Sequence, residues 1–459
     1  MLIKNWKNIA VLLGFLFFAL ILIFTGGKSL IWNAGALGFL MVYFWILEII
    51  PVYVTALFPI IFAVPLGLST SNELASSYGN SVIYLFLGGF MIANALEKWD
   101  IHIQFTRRIL KLSGQSKVKI ILGFLVSTAF LSMWISNTAT ALMMMPMAVA
   151  VIDALPEEKK NGKFPILLLL SIAFAASIGG IATLVGSPPN LIMAAILEKT
   201  FHIKIDFFTW FKYGFPLSVI IIGIVYFFFS LLLGKERKEK VDSFSLEHQD
   251  WSPVQIKVLV IFTLTVFLWT FKTLISKYTG FQYSDESAVI LCASLLFLIP
   301  GEKKDQKLLE WKDTEKLPWG ILLLFGGGLA LADILFRTGI VDMVSNSFNA
   351  LVALPYLILI FVIVLITTFG SELLSNTAQV TIMIPLIALF AINNDLPVIQ
   401  LCFAVTIAAS CAFMMPMGTL PNAIIFASGK IKMLQMAKIG FVLNLIVGVI
   451  ITVFAFLFM

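Results

Sequence analysis

Apolar runs of membrane-spanning length follow one another from end to end of this chain, divided by short polar interruptions. A helix crossing a hydrocarbon core of about 30 Å needs roughly 20 mostly apolar residues. Runs of that kind lie near 8–25, 29–48, 51–68, 80–97, 164–198, 215–233, 253–275, 286–300, 317–337, 398–428 and from 439 onward. The pattern predicts an all-α polytopic membrane protein with about eleven transmembrane helices. The longest polar stretches, 234–252 and 301–316, are too short for a soluble domain and read as loops.

Two apolar stretches, 120–155 and 350–392, fit no simple crossing once charge is considered. Lys and Arg gather at Lys4 and Lys7, at 98–119 with Arg107, Arg108 and Lys111, at 159–163, at 235–240, at 303–316 and at Lys430, Lys432 and Lys438. Placing every cluster on the cytoplasmic side follows the positive-inside rule. Each of the two remaining stretches must then begin and end on one face. They are expected to be re-entrant hairpins, with the N-terminus cytoplasmic and the C-terminus outside. Lys4 and Lys7 precede the first run without a small-residue cleavage site before Gly26-Gly27, so an uncleaved first helix is expected rather than a signal peptide.

Composition agrees with the pattern: 60% of the 459 residues are hydrophobic and 12% charged, with a mean hydropathy of +1.01. The net charge of +6 is what orienting loops require and implies no nucleic acid partner. Cys292, Cys402 and Cys411 lie in apolar runs without metal-ligand spacing and read as small buried hydrophobes. His102, His202 and His248 fall in or beside loops, and no chemistry is assigned to them.

The polar residues that do enter apolar runs come in matched sets. Leu87-Gly88-Gly89 pairs with Phe325-Gly326-Gly327, Ser136-Asn137-Thr138 with Ser375-Asn376-Thr377, and 186–190 (Gly-Ser-Pro-Pro-Asn) with 418–422 (Gly-Thr-Leu-Pro-Asn). The offsets are close: 326 − 88 = 238, 375 − 136 = 239 and 422 − 190 = 232. In the topology above partner segments run in opposite directions, which is the inverted repeat of many transporters, with sites where broken helices meet near the midplane.

Broken backbone cannot face lipid, so it must line a cavity or bind something. Pro188 and Pro189 break the first turn and Gly186 permits close approach. Freed carbonyls with the oxygens of Ser132, Ser136 and Asn137 make a hard-cation donor set, and Ser371, Asn376 and Gly418 supply its counterpart. Asn137, Thr138, Ser187, Asn376, Thr377 and Thr419 offer donors beside helix N-termini, which suits a small carboxylate. No Lys or Arg lies in either tip or turn, so a dianion must be balanced by bound cations and helix dipoles. Among acids in or near apolar runs (Glu48, Asp153, Asp333, Glu372), Glu372 is the strongest functional suspect. An intramembrane enzyme would need a nucleophile with its base or a metal cluster, and no such constellation shares a midplane. Two closed hairpins favour alternating access over a channel.

These residues resemble the divalent anion/sodium symporter (DASS) family, through Leu47 to Pro51, Phe86 to Met91, Met133 to Ala139, Ser177 to Asn190 and Pro421 to Ile424. The resemblance implies a secondary transporter of C4/C5 dicarboxylates such as succinate, malate, fumarate or 2-oxoglutarate, by sodium symport or by exchange. Citrate, sulfate or sodium/proton transport are the alternatives. It also implies an elevator movement, a homodimer, a bacterial inner membrane location and up to two sodium sites, at Ser132, Ser136, Asn137 and Gly186 and around Ser371, Asn376 and Gly418. No organic cofactor is expected. Substrate carboxylates would meet Ser136, Asn137, Thr138, Ser187, Ser375, Asn376, Thr377 and Thr419. Leu420 and Gln379 depart from the family pattern, where proline and threonine are common. The expected organisation is an N-terminal helix (1–28), first-repeat scaffold (29–119), first-repeat transport region (120–233), cytoplasmic loop (234–252), second-repeat scaffold (253–349) and second-repeat transport region (350–459).

Overall fold

The computed structural model describes residues 6–160, 162–241, 250–303, 305–341, 343 and 352–459; Lys4, His248 and Lys304 lie outside them. Helices begin where side chains can satisfy the first free N–H groups. Asn80 accepts from Val82 N–H, Asp206 from Thr209 N–H, and Thr70 and Ser252 form capping boxes with Glu73 and Gln255.

The N-terminal pair is α1 (Trp6–Phe24) and α2 (Leu30–Leu47), followed by short α3 (Val52–Thr55) and α4 (Phe58–Phe62). Next come α5 (Ser71–Tyr78), α6 (Ser81–Lys98), amphipathic α7 (Ile101–Ser113), α8 (Lys117–Ser132), α9 (Asn137–Asp153), α10 (Lys163–Gly180), α11 (Pro188–Phe201) and α12 (Phe207–Leu233). The second half has α13 (Pro253–Thr270), α14 (Lys272–Thr279), α15 (Asp285–Leu298), α16 (Trp319–Arg337), α17 (Tyr356–Ser371), α18 (Asn376–Asn393), α19 (Val398–Ser410), α20 (Leu420–Ala427) and α21 (Met433–Phe458).

Nine helical stretches among the described residues are long and apolar enough to cross a membrane, against about eleven expected. The stretch 51–68 is not one helix: Pro51, Pro59 and Pro65 each remove a backbone donor, and two short helices result. At 14 residues α15 is short, and 398–428 is interrupted between α19 and α20. The hairpin helix α18 adds one long stretch that was expected to turn back. Pro146 in α9 and Pro385 in α18 occupy corresponding interior positions, 385 − 146 = 239.

Most of the interior is one apolar cluster running from Val82 to Ala455; α1, α2 and the inner face of α16 form a second. Outward-facing Phe24, Phe227, Val260 and Leu457 are exposed, an arrangement that suits contact with lipid and not water. On the polar side, the strand-like bridge Ser116–Lys240 docks the segment after α12 onto the start of α8. There Lys117, 2% exposed, pairs with Glu236 at 3.0 Å and Glu239 at 3.1 Å.

Candidate functional site

Four helices end at the landmarks and four begin there. The C-terminal ends of α8, α10, α17 and α19 present carbonyls without helical partners, and the N-terminal ends of α9, α11, α18 and α20 present N–H groups. The N-cap residues are Ser136, Ser187, Ser375 and Thr419. Every residue expected to meet a carboxylate is therefore an N-cap or one of the first two helical residues behind it. Helix α9 packs against α20 of the other half, and α11 against α18. The four N-termini thus belong to two pairs of packed helices, each pair drawn from both halves.

The hydrogen bonds repeat with the sequence. In the first half the Ser132 hydroxyl lies 2.6 Å from Asn137 Oδ1 and 2.7 Å from Ala176 O. In the second, the Ser371 hydroxyl lies 2.6 Å from Asn376 Oδ1 and 2.5 Å from Ala409 O. One hydroxyl carries one proton and cannot serve two acceptor oxygens. Either the asparagine amide turns to donate to Oγ, or the spare lone pairs meet a cation. This oxygen-rich donor set fits a hard cation such as sodium.

Each broken turn is closed by the asparagine of its Pro-Asn step. Asn190 Nδ2 donates to Gly180 O at 2.9 Å and Thr183 O at 2.8 Å. Asn422 Nδ2 donates to Ala412 O at 3.0 Å and Met415 O at 3.1 Å. Thr183 O also accepts Gly186 N–H, as Met415 O accepts Gly418 N–H. The offset is constant: 422 − 190, 412 − 180, 415 − 183 and 418 − 186 all equal 232. Glycine is required where these segments touch. A Cβ on Gly180 would sit 2.5 Å from Asn137 Oδ1, and one on Gly186 2.6 Å from Gly180 O.

The remaining expected residues fall as follows. Ser136 Oγ accepts from Ala139 N–H at 3.2 Å and is exposed, while Asn137, Thr138, Ser375, Asn376 and Thr377 are half-buried. Ser187 and Thr419 are buried, and Thr419 Oγ1 accepts Asn422 N–H at 3.3 Å. Gly186 and Gly418 line the two turns, and Gly418 abuts Glu372. Glu372, 3% exposed, is structurally engaged: its carboxylate accepts Met414 N–H and Met415 N–H at 2.8 Å each and the Asn444 side chain at 2.7 Å. Gln379 reaches across the hairpin to donate to Thr367 O. The other suspected acids lie elsewhere: Asp333 pairs with Arg337, Asp153 stands 3.7 Å from Lys430, and Glu48 is exposed at the end of α2.

Three contacts at these turns were not anticipated. Thr183 Oγ1 donates to Met133 O at 2.6 Å, tying the first turn to the first hairpin tip. Trp210 Nε1 donates to Ile181 O. Asn444 is an amide in the apolar interior of the 26-residue helix α21, beyond Gln435 in the first turn, which was the signal available for it.

Residues 42–394 match the citrate transporter (CitMHS) family. The chain is 34% identical over 431 residues to the sodium-dependent dicarboxylate transporter SdcS of Staphylococcus saprophyticus, spanning 89% of this chain and 82% of that one. It is 35% identical over 469 residues to SdcS of Staphylococcus aureus USA300, spanning 96% and 89%. Among solved structures, the YdaH transporter of Alcanivorax borkumensis, described as having an unusual topology, superposes with a TM-score of 0.58 at 10% identity, over 83% of this chain and 86% of that one.

Proposed function

Because this chain belongs to the citrate transporter family and, within it, to the divalent anion/sodium symporters, we propose that it is a secondary transporter of C4/C5 dicarboxylates with sodium as co-transported cargo. It is not an enzyme. One observation supports the substrate reading: four helices begin at the landmarks, on two packed pairs each drawn from both halves, and their N-termini offer N–H groups to the carboxylates. With no Lys or Arg at the landmarks, the bound dianion is balanced by N-terminal dipoles and by cations among the oxygens of Ser132, Ser136, Asn137 and Gly186 and of Ser371, Asn376 and Gly418. The substrate contacts are Ser136, Asn137, Thr138, Ser187, Ser375, Asn376, Thr377 and Thr419. Filling both cation sites before the dianion removes most of the electrostatic penalty for moving the loaded site through a low-dielectric region.

In this reading residues 120–233 and 350–459 form the moving transport region. Residues 29–119 and 253–349 form the scaffold of a homodimer, and the site crosses the membrane as an elevator. The N-terminus is cytoplasmic and the C-terminus outside, in a bacterial inner membrane. The mutual packing of α9 with α20 and α11 with α18 supports a transport region that moves as one body. Citrate is the second reading, favoured by the family description.

The test is uptake of labelled succinate by purified protein in two sets of liposomes, empty with a sodium gradient and succinate-loaded without one. Uptake only under the gradient establishes symport. Uptake only into loaded vesicles establishes exchange, and no uptake in either removes the dicarboxylate assignment. Stronger competition by citrate than by malate would move the assignment to the second reading.

A further inference from the structure

The two halves differ where the closing helix of each meets its broken turn. Helices α12 and α21 press Gly214 and Gly440 against the carbonyls of Ile181 and Phe413, corresponding positions with no room for a Cβ. One turn onward stand Ser218 and Asn444, so 218 − 214 and 444 − 440 are both four. Ser218 simply donates to Ile178 O at 2.8 Å. Asn444, fully buried, bridges three elements: its Oδ1 accepts Phe413 N–H at 3.2 Å, while its Nδ2 donates to Glu372 Oε1 at 2.7 Å. The amides of three consecutive residues, Phe413, Met414 and Met415, are thereby held by the Asn444–Glu372 pair.

The first half has no such carboxyl group. The residue corresponding to Glu372 is Met133, 372 − 239, and the residue corresponding to Met415 is Thr183. There a neutral bond from the Thr183 hydroxyl to Met133 O joins tip to turn. In the second half a carboxylate does so, beside Ser371 and against Gly418.

We propose that Asn444 is a positioning residue for the second cation site. By holding the Glu372 side chain on the Met414 and Met415 amides, the last helix shapes the turn that carries Gly418. The cation part of this inference rests on the sodium-coupled reading above. Removing Asn444 frees one side-chain donor from Glu372 and one acceptor from Phe413, and the turn loses its register.

The test compares full-length wild type with Asn444→Ala, Asn444→Asp, the double variant Asn444→Asp/Glu372→Gln, and Ser218→Ala. Two measurements are needed: sodium half-saturation and succinate KM in liposomes, and amide hydrogen exchange across 411–419 in purified protein. Loss of the two Asn444 bonds should raise the sodium half-saturation roughly tenfold in Asn444→Ala. Succinate KM at saturating sodium should change less than about twofold, because uniform damage would move both. Exchange across 411–419 should accelerate. Asn444→Asp sets two carboxylates together and should be worse. Adding Glu372→Gln exchanges donor and acceptor and should restore part of the loss, even if either single variant folds poorly. Ser218→Ala should leave the sodium half-saturation unchanged. The inference is overturned if exchange across 411–419 and sodium half-saturation stay at wild-type values in Asn444→Ala, or if Glu372→Gln deepens the defect of Asn444→Asp. Sodium-independent uptake by wild type would remove the symport reading, while the exchange data would still decide whether Asn444 positions the turn.

Discussion

Replacing Asn190 by aspartate and by leucine should reverse the usual order of tolerance. Asn190 is fully buried, with both amide hydrogens committed to Gly180 O at 2.9 Å and Thr183 O at 2.8 Å, while its Oδ1 has no partner in the fold. Leucine matches the side chain in size. It orphans Gly180 O, about 1–3 kcal/mol, while Thr183 O keeps Gly186 N–H at 3.3 Å, and it removes one unpartnered oxygen, which returns about 1–3 kcal/mol. The net loss is therefore small, within about 2 kcal/mol. Aspartate, the chemically closer residue, turns a carboxylate oxygen toward two carbonyl oxygens, or must take up a proton that can serve only one of them. It should therefore lose more stability than leucine, and uptake should fall below detection because Gly180 lies against Asn137. The assay is thermal unfolding by tryptophan fluorescence in detergent, paired with succinate uptake in liposomes. Asn422 makes the same two bonds slightly longer, at 3.0 and 3.1 Å, so its variants should follow the same order with smaller losses. An Asn190→Asp protein as stable and active as wild type would refute the assignment of these bonds.

Other outcomes follow from the same geometry. Ser132→Ala and Ser371→Ala each delete an oxygen shared between an asparagine and a backbone carbonyl. Each should raise the sodium half-saturation of uptake by roughly tenfold, and unchanged values in both would exclude these hydroxyls from cation binding. Gly180→Ala drives a methyl against Asn137 and should abolish uptake while expression in the membrane stays near wild type, read by immunoblot and transport on the same vesicles. Leu420→Pro places proline at the first residue of α20, as Pro188 stands in α11, and should raise stability by about 0.5–1 kcal/mol in the same unfolding assay. The hydrogen bond from Lys159, then that from Lys117, holds the Glu239 carboxyl below its ordinary value of 4.5. The docking of 234–241 is thus complete above that value and is lost only as pH falls further, through the lowered one. Protease access to this segment should rise well below pH 4.5 and not above it. Neutralising Glu236 and Glu239 together should harm folding more than Lys117→Met, because it leaves the buried lysine unpaired.

Where sequence and structure agree, the reason is that polar atoms in apolar runs are few and expensive. Ser132, Asn137, Ser371 and Asn376 stood out because they recur in register in the two halves beside the matched triplets, and the structure gives both pairs the same contact. The Pro-Asn steps were legible as breaks, since proline ends a helix whatever surrounds it. What each asparagine bonds to was not, because Gly180 O and Ala412 O lie ten residues earlier and approach only after the turn closes. Crossing 51–68 was misread for a related reason. Hydropathy averages over a window and does not register that Pro51, Pro59 and Pro65 divide it. Asn444 was visible as an amide in an apolar helix, but its partner Glu372 is 72 residues away and no local pattern links them.

The mutual packing of α9 with α20 and α11 with α18 has a consequence for how such a chain arose. Each half supplies one helix to either pair, so a single copy of the repeat owns half of each and neither entire. A protein half this length would have to meet a second copy of itself to complete either pair. Gene duplication followed by fusion then removes the need for two copies to find each other. It also frees the halves to diverge, as Glu372 and Asn444 have done from Met133 and Ser218.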